Sequence, residues 1–196
     1  IDAIIYNRNE LLHKLNLDSS ISDEELLLKF ITTYGVESLK EINGDFTGAI
    51  YNTQNNTITL FRDHMGIRPL YYHINETTLS FSTDMRGLLS CSHVDSSINE
   101  SWLYRRVCGQ PFTGTENTEL ANIFCVPPAG YMIFSCNSVL RLVTKERYWN
   151  FSNKKIRYSS FQKYADCLKE LITDSIERRL NVFPGLSGAE LSGGLD

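Results

Sequence analysis

Leu60-Phe61-Arg62-Asp63-His64-Met65-Gly66-Ile67-Arg68-Pro69-Leu70-Tyr71-Tyr72 sets a polar turn between two apolar segments, 57–61 and 69–72. Arg62 and Asp63 end the first segment. Gly66 permits backbone angles that a Cβ resists, and Pro69 fixes the re-entry into extended chain. On its own the stretch predicts a hairpin-like turn in a sheet protein.

Its surroundings carry the same period. Segments 46–51, 57–61, 70–73 and 78–81 read as strands parted by turns rich in Asn, Gly and Pro, Asn55-Asn56 among them. Residues 1–6 read as the tail of a buried strand. Leu11, Leu12 and Leu15 follow at helical spacing. Ser22-Asp23-Glu24-Glu25 is a capping box, with a Ser accepting from the third backbone N–H and a Glu reaching back. The helix it opens carries Leu26, Leu27, Phe30 and Ile31 on one face and stops at Gly35. A short helix over 36–42 leads into the Asn43-Gly44 turn. Residues 85–89 and 100–107 read as further short helices. Pro127-Pro128-Ala129-Gly130 makes a rigid corner between apolar runs. A polar linker then precedes an amphipathic helix in which Phe161, Tyr164, Leu168, Leu171, Ile172, Ile176 and Leu180 recur every three or four residues. Pro184-Gly185 breaks that helix, and Ala189-Glu190-Leu191 enters another strand.

The chain has 196 residues, 42% hydrophobic and 21% charged, an ordinary globular composition. A net charge of −4 without a Lys/Arg run offers no field for a nucleic-acid backbone. No apolar stretch approaches membrane-spanning length, and no signal peptide opens the chain. Cys91, Cys108, Cys125, Cys136 and Cys167 show no C-x-x-C spacing, which argues for reduced thiols, a cytoplasmic setting and no metal site. His13, His64, His73 and His93 are scattered and read as surface or turn residues rather than ligands.

Ile42-Asn43-Gly44-Asp45-Phe46-Thr47-Gly48-Ala49, the 60–72 stretch, Phe81-Ser82-Thr83-Asp84-Met85-Arg86-Gly87-Leu88-Leu89 and Arg147-Tyr148-Trp149 follow one another in an order and spacing that resemble the glutaminase half of asparagine synthetases. Nearly the whole chain can be laid along that family. The resemblance implies an α+β fold, an N-terminal-nucleophile-hydrolase-like sandwich of antiparallel sheets with flanking helices, followed by the start of an α/β nucleotide-binding domain. It implies a glutaminase-like domain over 1–150, a linker over 151–160 and the opening of a synthetase domain over 161–196. The chain begins with Ile1 and ends at Asp196, and is expected to be a piece of a longer protein. The family's nucleophile, an N-terminal cysteine, is expected to lie outside it.

Leu191-Ser192-Gly193-Gly194-Leu195-Asp196 looks like the start of the S-G-G-x-D-S pyrophosphate loop of ATP pyrophosphatases. Gly193 and Gly194 would let backbone N–H groups converge on phosphate oxygens, Ser192 would donate a hydroxyl, and Asp196 would hold the Mg2+ of ATP. The resemblance adds the backbone of Glu190 and Leu191 as the edge contacting adenine, although the family usually has an apolar residue at Glu190. Asp23 aligns with the aspartate that binds the α-amino group of substrate glutamine; its other reading is a carboxylate complementing a helix N-terminus. Where the family has Asn-Gly, forming the oxyanion hole, this chain has Asp2-Ala3 before Ile4-Ile5-Tyr6-Asn7. Ala3 keeps its N–H, but an ionised Asp2 is acceptor-only and would oppose an oxyanion.

These residues imply an ATP-dependent amide ligase, in which ammonia from glutamine attacks a carboxylate activated as an acyl-adenylate. The carboxylate is aspartate in the parent family, and a homodimer is compatible with the resemblance. The rival enzyme reading is a cousin with impaired glutaminase activity, like β-lactam synthetases or lasso-peptide cyclases, fed by free ammonia or an internal amine. A non-catalytic scaffold keeping only the sandwich is the third reading, and Ser192 and Asp196 argue against it.

Overall fold

The computed structural model describes residues 1–110, 116–137, 139–182, 185 and 188. They fall into two compact units, Ile1–Phe151 and Ser152–Asp196. In the first unit, β1 (Asp2–Ile5), β2 (Gly44–Asn52), β3 (Thr57–Arg62), β7 (Gly130–Ser135) and β8 (Arg141–Arg147) form an antiparallel sheet in the order β1-β2-β3-β7-β8. A smaller antiparallel sheet has the order β5-β4-β6, from Leu79–Ser82, Tyr71–Ile74 and Phe124–Cys125.

Alternation along the strands assigns each side chain to a layer. Phe46, Phe61 and Tyr131 face the helices α1 (Arg8–Leu15) and α2 (Asp23–Tyr34), where they meet Leu11, Leu26, Leu27 and Phe30. Their neighbours Leu60, Met132 and Phe134 point the other way, onto Tyr72 of the small sheet and Leu70 just before it. Tyr71, one residue from Tyr72, packs instead against Leu88, Val94 and Ile123 beside α3 (Met85–Leu89). Each such side chain taken from water contributes roughly 1.5–3 kcal/mol. The large sheet is thus a middle layer, greasy on both faces.

Helix α2 starts where its sequence says. Ser22 Oγ accepts from the Glu25 N–H at 3.2 Å, and Gly35 ends the helix with φ 82° and an N–H donated to Ile31 O. The capping box is only half realised, since the Glu25 carboxylate pairs with Lys29 at 3.1 Å. The short helix expected over 36–42 is present as a 3₁₀ helix, Val36–Glu41. In β2, Gly48 is required by close approach, because a Cβ there would come within 2.7 Å of the Phe61 ring.

The 60–72 stretch departs from the hairpin expectation. β3 and β4 do not pair; they belong to different sheets, and residues 63–70 carry the chain from one to the other. Asp63, 1% exposed, organises that crossing. Its carboxylate accepts from the N–H groups of Met65 (3.0 Å), Ile67 (2.9 Å) and Arg68 (2.9 Å). The 126–129 corner crosses back from β6 to β7 with Ala129 at φ 54°. Arg62 joins the two crossings: Nε donates to Arg68 O at 2.7 Å and Nη1 to Val126 O at 3.0 Å. Tyr148 closes the joint by donating its hydroxyl to Arg62 O at 2.8 Å and its N–H to Ala129 O at 2.9 Å.

Two further expectations are corrected, and one strand is added. The buried strand expected over residues 1–6 is present as β1, but it lies at the end of its sheet, with burial alternating along it. β8 was not foreseen, because it is a mostly exposed end strand whose charged residues lack a buried alternation. His73 is buried at 7% exposure, with Nδ1 2.8 Å from Asn122 O.

In the second unit, α5 (Phe161–Val182) follows an extended segment. Tyr164 Oη accepts the Tyr158 N–H at 2.9 Å, and the helix's apolar stripe, including Leu168, Leu171, Ile172 and Ile176, is exposed.

Candidate functional site

The outer edge of β1 and the first turn of α2 bring the foreseen residues together. The β1–β2 register places Asp2 opposite Thr47 and Ile4 opposite Asp45, and Tyr6 N–H bonds Asn43 O at 2.7 Å. By antiparallel alternation, the N–H groups of Ala3 and Ile5 then point away from β2. Ile5 N–H meets Asp23 Oδ2 at 2.7 Å. Glu24 is the neighbouring carboxylate at the start of α2. That carboxyl is held below its usual range by its own backbone N–H, then by Ser22, with Ala3 N–H contributing. Asp23, at the start of α2, therefore satisfies a donor of the sheet edge.

Asp23 has a second partner that sequence reading missed. Arg8, the first residue of α1, donates Nη1 to Asp23 Oδ1, while its Nη2 donates to Ser19 O at 3.0 Å and to Ile21 O. Asp2 is engaged as well: Arg68 Nη1 donates to Asp2 Oδ2 at 3.0 Å. The available signals were modest, a cation one residue past Ile5-Tyr6-Asn7 and a cation just before Pro69. Arg68 reaches Asp2 because its own N–H is held by Asp63, so the inter-sheet crossing also positions a site residue. Asn7 is structural: its side chain accepts from the Asn43 N–H at 2.9 Å and donates to Glu41 O at 3.0 Å.

Electrostatically, both aspartates meet a guanidinium. The negative charge that Asp2 was expected to set against an oxyanion is countered by Arg68. A cavity of about 510 Å³ opens beside the start of α2, walled in part by Ser22, Glu24, Leu28, Ala49, Ile50 and Tyr51; Asp2 and Asp23 are not in its wall. Nearby, His64 sits edge-on to Tyr148 and Trp149 with ring centroids 5.2 Å away, and burial lowers its pKa.

Glu190, Leu191, Ser192, Gly193, Gly194 and Asp196 lie outside the described residues. Among the described residues no group of His, Cys, Asp and Glu could hold a metal ion. No described helix is long and apolar enough to cross a membrane. All five cysteines are free.

Comparison with known proteins supplies the family. The model of the glutamine amidotransferase domain matches residues 2–149. The putative glutamine-hydrolysing asparagine synthetase 2 of Methanocaldococcus jannaschii is 28% identical over 98% of this chain and 37% of its own length. The glutamine-hydrolysing asparagine synthetase 2 of Bacillus subtilis is 27% identical over 100% of the chain and 27% of its own length. Amidase chry2 of Gibberella zeae is 22% identical over 89% of the chain and 25% of its own length. The chain thus spans between a quarter and somewhat over a third of these relatives. Its antiparallel sheets and flanking helices suit the matched domain, and the chain belongs to the glutamine amidotransferase domain family.

Proposed function

We propose that this chain is the amide-donor side, and the opening of the ATP side, of an ATP-dependent amide ligase like the asparagine synthetases. The observation that carries the reading is the match to glutamine-hydrolysing asparagine synthetases over 98–100% of the chain, past the amidotransferase domain into the residues that follow it. Glutamine is the amide donor that the domain implies. By the resemblance, Asp23 would receive its α-ammonium, and the Ala3 N–H would serve the oxyanion. Ser192, Gly193 and Gly194 would cradle the ATP pyrophosphate, Glu190 and Leu191 would border the adenine, and Asp196 would carry Mg2+. Bound ATP would supply activation of a carboxylate, aspartate in the parent family, for attack by ammonia. The free cysteines support a cytoplasmic setting.

The test is pyrophosphate release by the complete protein given ATP, Mg2+, aspartate and ammonium chloride. Release that Ser192→Ala and Asp196→Ala abolish supports the ligase. Equal turnover in both variants sinks it.

A second reading, a cousin with impaired glutaminase activity, is favoured by the departure at Asp2 and Ala3 and by the partner that Asp2 has found in Arg68. Steady-state rates of the complete protein with glutamine and with ammonium chloride separate the two. A glutamine-dependent rate equal to the ammonia rate rejects the impaired cousin.

A further inference from the structure

We infer that Arg8 determines which amide donor the domain accepts, by closing the Asp23 carboxylate to the α-ammonium group of a free amino acid. The inference rests on the reading of Asp23 as the ammonium-binding residue and deepens it. Both Asp23 oxygens are engaged, Oδ2 by the Ile5 N–H at 2.7 Å and Oδ1 by Arg8 Nη1. Arg8 is not a passing surface cation. Its guanidinium also donates to Ser19 O at 3.0 Å and to Ile21 O, so it cross-links the start of α1 to the loop that delivers α2.

An incoming ammonium would offer Asp23 the charge it already has, from a group that a planar fork holds in place. To bind, it must expel Arg8 and leave the carbonyls of Ser19 and Ile21 without this donor, or share a carboxylate whose charge is already balanced. Either route removes the advantage that an ammonium ordinarily gains from a charge-assisted hydrogen bond. A donor without a free ammonium loses nothing. The site should therefore not prefer free glutamine over glutamine with an acylated α-nitrogen.

The experiment titrates the complete protein with L-glutamine and with N-acetyl-L-glutamine by calorimetry. The wild type should show no preference for free glutamine. Arg8→Gln, which keeps donors for the two carbonyls, should tighten L-glutamine by about tenfold or more, the usual worth of a charge-assisted bond. N-acetyl-L-glutamine should be unaffected, and adding Asp23→Asn should erase the gain. Should Arg8→Gln fail to fold, arginine-labelled wild type decides: the Arg8 guanidinium resonances stay put on adding L-glutamine if the inference holds, and move if it fails. A wild type that prefers L-glutamine and loses that preference in Asp23→Asn overturns the role of Arg8 while upholding the glutamine reading. A folded Arg8→Gln that gains no preference also overturns it. If that variant binds neither ligand, the glutamine reading falls as well.

Discussion

Asp63 and Asp23 are both aspartates with every oxygen engaged, yet they stand in opposite circumstances. Asp63 is 1% exposed and its partners are backbone N–H groups of its own loop, within five residues. Asp23 keeps about a fifth of its side chain exposed, and its partners come from β1 and α1, 18 and 15 residues away. A carboxylate sealed by its own loop can only hold structure. A carboxylate at an accessible edge, held by a side chain of another element, can exchange that partner only at the cost of the partner's other bonds.

The contrast makes its largest claim at the crossing. Asp63→Ala leaves three N–H groups without their acceptor and should cost about 3–5 kcal/mol, read as a fall in the urea midpoint. Asp63→Asn should recover part of this, since an amide oxygen still accepts. A loss below about 1 kcal/mol would mean that the crossing does not depend on its carboxylate.

Next comes Asp2. In the complete protein carrying Arg8→Gln, Asp2→Asn restores an amide donor where the family has one. It should raise kcat for glutamine by about a hundredfold, the usual worth of an oxyanion-hole donor, with KM nearly unchanged. A change confined to KM would show that position 2 acts on binding alone.

Asp23→Ala should destabilise by about 1–2 kcal/mol, clearly less than Asp63→Ala, because its ion pair is partly in water. If the two substitutions cost the same, the division between sealed and exchangeable carboxylates is wrong.

The smallest effect belongs to His64. Burial lowers its folded pKa, so the unfolded chain takes up a proton first as pH falls. The stability this contributes is intact above the unfolded value of about 6.5 and declines as pH drops from there toward the folded value. His64→Phe should flatten that part of the stability profile. An unchanged slope would assign the acid sensitivity to other groups.

Much of this was legible in local pattern. Adjacent Leu60 and Phe61 announce a strand buried on both faces, Ser22 and Gly35 mark the two ends of α2, and the ordered motifs from Ile42 to Trp149 carry the family. Periodicity and capping depend on near neighbours, so they survive in the bare sequence. Strand partnership does not. Whether 57–61 pairs with 70–73 depends on which surfaces compete for Leu60, Leu70 and Tyr72, and the inter-sheet core wins over the hairpin. β8 escaped because an exposed end strand needs no apolar alternation, and its ladder with β7 rests mainly on backbone pairing. The partners of Asp2 and Asp23 escaped for the same reason as the strand pairing. Arg68 and Arg8 are ordinary cations until the Asp63 crossing and the docking of α2 on the edge of β1 bring them within reach of those carboxylates.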